Sequence, residues 1–337
     1  MHMADALISP IVGGTLWLVS GGLLGYSAKK ITEEGDGSKT SLMGVLGAFI
    51  FAAQMINFTI PGTGSSGHFG GGLLLAILLG RYRAFLTLSS VLIIQALFFA
   101  DGGLLALGCN MLNLAFFPAF IAYPFIYRVI AGTSLSPGRL AAGSMTAAII
   151  GLLMGAFFVV LETRLSGITE LPFTTFLLFM LPIHLAIGIV EGLVTWSVVV
   201  FVARTEPALF MPAKKAARPR LMPTLFMTMA LMTAGVLSWF ASSRPDGLEW
   251  SVARASVTGE LRATREPLHE IVSALQQKIT LLPDYGFKPA SGSREVAASP
   301  LNAATTLSGI VGSLSVLVVA GTAALVLGRK PSEPKQS

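Results

Sequence analysis

Apolar runs alternate with short polar breaks along most of the chain. Apolar stretches cover residues 10–26, 41–56, 70–80, 84–100, 104–127, 138–160 and 172–202, followed by 222–241 and 305–328. About 20 apolar residues make a helix long enough to cross a bilayer, and backbone in lipid must satisfy its own hydrogen bonds. The pattern predicts an all-α polytopic membrane protein: a seven-span core and a C-terminal two-span module. The third run is short, so the glycine-rich backbone before it must be buried in protein or line a cavity. The seventh is overlong and contains Pro182, which predicts tilt or a kink.

Domain boundaries follow from the same pattern. Residues 1–205 form the core. Residues 206–221, rich in Pro, Lys and Arg, form a cytoplasmic linker. Residues 222–337 form the second module, with an extracytoplasmic insert over about 242–304. The insert segment T-G-E-L-R-A-T-R-E-P-L-H-E-I-V-S-A-L-Q-Q-K-I reads as partly helical, with His269 in solvent. At the start of the insert, P-D-G-L-E reads as a turn, with Pro245 second and Asp246-Gly247 favouring it, or as a docking element against the outer loops of the core. Gly21 and Gly25 form G-x-x-x-G on the first span, a pattern for close helix packing inside the protein or against a partner.

Composition agrees with a membrane protein. The 337 residues are 53% apolar and only 12% charged, against roughly 25% charged in soluble domains. The net charge of +6 does not indicate nucleic acid, because the basic residues gather in short loops beside apolar runs. Those loops set orientation. With the N-terminus outside and the C-terminus in the cytoplasm, the inner segments hold Lys29, Lys30, Lys39, Arg81, Arg83, Arg128, Arg139, Arg204, Lys214, Lys215, Arg218, Arg220, Arg329, Lys330 and Lys335. The short outer loops hold only Arg164. The chain is therefore expected in the plasma membrane. The start lacks the basic n-region of a removable signal peptide, so the terminal amine is expected to persist. The lone Cys109 rules out a thiolate cluster and reads as a buried small residue. G-D-G-S-K-T lacks the G-K-[ST] of a phosphate loop, so the chain has no ATPase site of its own and is not read as an enzyme.

The candidate chemistry lies at the start. The α-amine of Met1, the backbone nitrogen of His2 and Nδ1 of its ring can close one five-membered and one six-membered chelate ring. A further nitrogen from His68, in N-F-T-I-P-G-T-G-S-S-G-H-F-G-G-G, completes a square plane that suits Ni(II) or Cu(II). Such capture displaces protons, so affinity is expected to fall below about pH 6. Polar residues inside apolar runs are costly and mark packing or a site. Gln95, Asp101, Asn110 and Asn113 form one group. His184 and Glu191, two turns apart on one helix face, form another. Each is read as a structural hydrogen-bonding residue or as an outer support that orients a ligand histidine, with direct ligation by His184 as the further alternative.

M-H-x-x-D-x-x-x-S-P, I-P-G-T-x-x-G-H-F-G-G-G, Q-A-L-F-F-A-D-G-G-L-L-A-L-G-C-N-M-L-N and H-L-A-I-G-I-V-E-G together resemble the CbiM/NikM family. These are substrate-capture components of energy-coupling factor transporters for cobalt and nickel. R-P-D-G-L-E-W and L-P-D-Y-G-F resemble the PDGLE-type NikN component, fused here in the NikMN manner. The resemblance implies metal bound by the terminal amine, His2 and His68. It also implies Ni2+ or Co2+ as substrate with no permanent cofactor. The implied partners are a coupling transmembrane subunit of the CbiQ/NikQ type and an ABC ATPase of the CbiO/NikO type. A vitamin-binding component of the same transporter class, or a metal-sensing receptor, stands as the alternative.

Overall fold

In the computed structural model, residues 1–133, 136–210, 221–256, 261, 263–264, 266–288 and 301–328 are described. Most of the expected linker, with Lys214, Lys215, Arg218 and Arg220, lies outside them, as do Arg329, Lys330 and Lys335. The helices are α1 (Pro10–Glu34), α2 (Met43–Gln54), α3 (Gly72–Leu79), α4 (Arg81–Phe99), α5 (Leu107–Ala131), α6 (Pro137–Ser166) and α7 (Phe173–Thr205). The C-terminal module adds α8 (Leu221–Gly235), α9 (Gly247–Ala255), α10 (Pro267–Ile279) and α11 (Leu301–Leu327). Between α2 and α3, β1 (Asn57–Thr59) and β2 (Ser66–His68) form an antiparallel hairpin in which Asn57 faces His68.

Six of these helices are long and apolar enough to cross a membrane: α1, α4, α5, α6, α7 and α11. The apolar α2, α3 and α8 are shorter, at 12, 8 and 15 residues. Every residue of α3 is buried, and eight residues rise only about 12 Å. It is a half-helix sheltered by protein, as the glycine-rich approach to it requires.

Local chemistry explains the ends. Ser9 caps α1, with the Val12 N–H donating to its hydroxyl, and Gly35 closes the helix in a left-handed conformation at φ 61°. Ser136-Pro137 and Gly167 frame α6 in the same way. The span expected over 10–26 therefore runs on to Glu34, because A-K-K-I-T-E-E has nothing that breaks a helix before Gly35. Wide-turn helix occupies Met111–Tyr127 within α5, where Pro118 and Pro124 lack donors.

α6 and α7 pack along each other, while α8 and α11 pack on α2. That last contact uses small residues. A Cβ on Gly44 would meet the α11 backbone at Leu317 O and Gly321 Cα, at 2.9 and 3.1 Å. Gly21 and Gly25 are instead exposed with open space above them, so G-x-x-x-G does not pack inside this chain. The insert lies against the core, and His269 is buried: its Nε2–H donates to Ile8 O at 2.9 Å and its Nδ1 accepts from the Glu266 N–H. The expectation that His269 is solvated is corrected, because Pro267 starts α10 and turns that ring onto the N-terminal segment.

Candidate metal centre

The first eight residues enter the protein. Met1, Met3, Leu7 and Ile8 are buried, unlike most chain termini. Backbone hydrogen bonds hold them there. The Met3 N–H donates to Asn110 Oδ1 at 2.8 Å, and Asn110 Nδ2 and the Gly103 N–H donate to Met3 O. The Ala106 N–H donates to Asp5 Oδ1 at 3.0 Å. Asn110 thus fixes the depth to which Met1 and His2 reach. Gly102, at φ 85°, passes so close that a Cβ there would lie 3.3 Å from His2 Cβ.

This threading brings the termini of two segments together. The Met1 amine lies 3.2 Å from His68 Nε2, and the His2 and His68 rings stack at 5.2 Å between centroids and 10° between planes. The Met1 amine also donates to Asp246 Oδ2 at 2.7 Å. His2 Nδ1 lies 3.1 Å from Asp101 Oδ1, and His2 Nε2 is buried without a hydrogen-bond partner among the described residues. His68 is half-buried; burial first, then the nearby amine and His2, drive its pKa down to about 3. Its Nδ1 lies 3.4 Å from Phe69 O. A carbonyl only accepts, so the Nε2 lone pair faces the amine.

Burial opposes the charge on Asp101, but His2 and the Tyr285 hydroxyl hold its carboxyl well below the usual range. Asp246 is likewise held low by the amine against the cost of burial.

Met1, His2 and His68 therefore converge. The other polar residues divide. Asp101 supports His2. His184 Nδ1–H donates to Met180 O at 2.8 Å, which leaves its Nε2 buried without a hydrogen-bond partner among the described residues. His184 lines a cavity of about 10 Å³ with Met1, His68, Asp246 and Gly247. Glu191 does not support His184: it accepts from the N–H groups of Gly70 and Gly71 at 3.0 and 3.2 Å, fixing the turn from β2 into α3. Gln95 donates to Gln54, and Gln54 donates to Gly70 O, bracing the same turn from the other side. Asn113 donates to Glu162 Oε2 at 2.7 Å and does not reach a histidine.

Three residues near the site were not singled out from the sequence. Glu162 lies two residues past the apolar run 138–160, still within α6, and could have been flagged as a carboxylate at the end of a span. Asp246 caps α9 in a capping box with Glu249, so P-D-G-L-E is a helix start and not a free turn; the D-x-x-E spacing was the available signal. Tyr285 had no local signal.

The fold and this cluster define a polytopic helical membrane protein whose amine-terminal residues and a hairpin histidine form one buried nitrogen-rich centre. The sequence of residues 2–209 matches the cobalt uptake substrate-specific transmembrane region, CbiM, and residues 220–329 match the PDGLE domain. The chain belongs to the CbiM family and carries a fused PDGLE domain. A protein of Archaeoglobus fulgidus assigned as a fused nickel transport protein NikMN is 33% identical over 322 residues, 95% of this chain and 96% of that one. The cobalt transport protein CbiM of Geobacter sulfurreducens is 28% identical over 290 residues, 80% of this chain and 81% of its own. A crystal structure of a transition metal transporter superposes with a TM-score of 0.54 at 30% identity, covering 61% of this chain and 94% of that structure.

Proposed function

We propose that this chain captures Ni2+ or Co2+ outside the cell and passes it inward as the substrate-binding component of an ATP-driven transporter. The ATPase, of the CbiO/NikO type, and the coupling transmembrane subunit, of the CbiQ/NikQ type, are separate chains. Residues 1–205 hold the metal, 206–221 link, and 222–337 form the accessory two-span module. The observation that carries this reading is the Met1 amine standing 3.2 Å from His68 Nε2, with His2 stacked on the same ring.

The donors are the Met1 amine, the His2 backbone nitrogen, His2 Nδ1 and His68 Nε2. Since His2 Nδ1 faces Asp101 in this structure, capture requires the ring to turn over about Cβ–Cγ. The Nε2–H then takes the place beside Asp101, the carboxylate–histidine–metal arrangement that fixes a ligand ring. Among the described residues, no three His, Cys, Asp or Glu side chains group as a metal site. The amine and backbone nitrogens are therefore integral to capture. The vitamin alternative loses ground here, because the cavity beside the amine is about 10 Å³, whereas small-molecule pockets are roughly 300–1,000 Å³.

Purified protein with its native N-terminus should bind one nickel ion and show the visible absorption of a square-planar Ni(II) complex. A ten-residue N-terminal extension, His2→Ala and His68→Ala should each remove high-affinity binding in isothermal titration. His184→Ala should weaken it less. Undiminished binding by a chain whose extension is verified by mass would refute the amine as a ligand.

A further inference from the structure

Two motifs of the C-terminal module remain outside this account of the core: R-P-D-G-L-E-W at 244–250 and L-P-D-Y-G-F at 282–287. The first brings Asp246 to the Met1 amine, and the second brings Tyr285 to Asp101, the carboxylate that faces His2.

Residues 242–246 are laid over the hairpin that carries His68. The Ser242 N–H donates to Asn57 O at 2.7 Å. The Ser66 N–H donates to Pro245 O at 2.8 Å, and the Ser66 hydroxyl donates to Arg244 O at 2.8 Å. Ser66 and Asp246 pair as a parallel bridge. This brings Asp246 Oδ2 to 2.7 Å from the Met1 amine, while its Oδ1 caps α9 at the Glu249 N–H. One carboxylate therefore both starts a helix and holds the amine.

The second motif arrives from the other side. The N–H groups of Leu281 and Leu282 donate to Phe98 O at 2.9 and 3.0 Å, and Gln276 Nε2 donates to Ala96 O and Gly102 O. The Tyr285 ring stacks on Phe99 at 4.9 Å and 17°. Its hydroxyl donates to Asp101 Oδ2, the carboxylate whose Oδ1 faces His2.

We infer that the C-terminal module completes the metal site of the core, with Asp246 positioning the Met1 amine and Tyr285 positioning His2 through Asp101. This rests on the metal reading above. The module contributes no donor nitrogen. It bears on the two donors that sit on a chain terminus, where, among the described residues, backbone hydrogen bonds to the core begin only at Met3. Two half-buried carboxylates beside the donor set also add negative charge where a divalent cation must sit. Outer supports of this kind are worth about 10- to 100-fold in metal affinity.

Two substitutions test this cleanly. Asp246→Asn removes the charge but keeps a side chain that caps helices as well as Asp does. Tyr285→Phe removes the hydroxyl but keeps the ring on Phe99. In the full chain with its native N-terminus, titrated with nickel chloride, each should lower affinity about 10- to 100-fold at unchanged stoichiometry, with a shift in the visible Ni(II) band. Tyr285→Phe should add nothing in an Asp101→Asn background, because it acts through that carboxylate, and should add in full to Asp246→Asn. His68→Ala is measured alongside. Wild-type or tighter affinity in either Asp246→Asn or Tyr285→Phe, with binding lost in His68→Ala, overturns this inference and leaves the metal site standing. Full additivity between Tyr285→Phe and Asp101→Asn overturns the Tyr285 route as well. Wild-type affinity in His68→Ala overturns the metal reading and this inference together.

Discussion

His68 carries a consequence that differs from the ordinary histidine rule. An unfolded chain takes up a proton on His68 near pH 6.5, but in the folded protein the ring holds out to about 3. Between those values the unfolded state binds the proton and the folded state does not. The folded-state pKa is depressed, so this contribution to stability is complete above about 6.5 and is lost as pH falls through the folded value. The ring is therefore ready to give its lone pair throughout the physiological range. Under the proposed ligation the His68 ring, kept neutral by burial, gives up no proton near neutrality, and the pH dependence falls to the other donors. Nitrogen chemical shifts of labelled histidine should show His68 as the neutral Nδ1–H tautomer from pH 4 to 8. A midpoint above 5.5 would contradict the depression. Burial and neighbouring charge cause it, and neither is written in the residues beside His68.

Among the elements, what the sequence showed was set by local rules. Ser9-Pro10 and Ser136-Pro137 mark helix starts where the apolar runs begin, but Gly35 and Gly167, which act within one turn, set the ends beyond the 26 and 160 where hydrophobicity fades. The third run was read as a short span with sheltered glycine-rich backbone before it, and the helix takes up only eight of its residues, all buried. Convergence of Met1, His2 and His68 was readable only because chelation restricts which atoms can share an ion. Contacts across the fold were not readable. Glu191 serves Gly70 and Gly71, 121 and 120 residues away, and no spacing rule on α7 points to a turn after β2. His269 looked solvated because its neighbours are polar, yet it bonds Ile8, 261 residues away. The packing of α11 on α2 is of the same distant kind and makes a sharp prediction. Gly44→Ala places a methyl against backbone that cannot give way, and overpacking of this sort costs about 1–3 kcal/mol. Thermal unfolding in detergent should show a lower Tm for Gly44→Ala, whereas Gly21→Ala, on the open face of α1, should leave it unchanged.

Across the whole molecule, the orientation expected from Lys and Arg puts the amine, the hairpin and the described parts of 242–288 on the outer face, the side from which the proposed capture draws metal. A membrane-impermeant thiol reagent tests this in a Cys109→Ala background. Ser66, though on the hairpin, is fully buried and makes a poor reporter. Pro61, Ser243 and Ser41 are exposed. Cysteines at Pro61 and Ser243 should react in intact cells, and one at Ser41 should react only after lysis; the reverse pattern would invert the orientation and the direction of uptake. The docking of the N-terminal segment onto late-made residues has a consequence for biosynthesis. Met1 meets Asp246, 245 residues later in the chain, and Ile8 meets His269. On a ribosome the N-terminal residues emerge long before those partners are translated. His68, Asp101 and Asn110 are available to Met1–Met3 once α5 is made, but Asp246, Tyr285 and His269 are not. The amine-terminal centre thus takes its final form late, closed when the late-made end of the chain returns to its beginning.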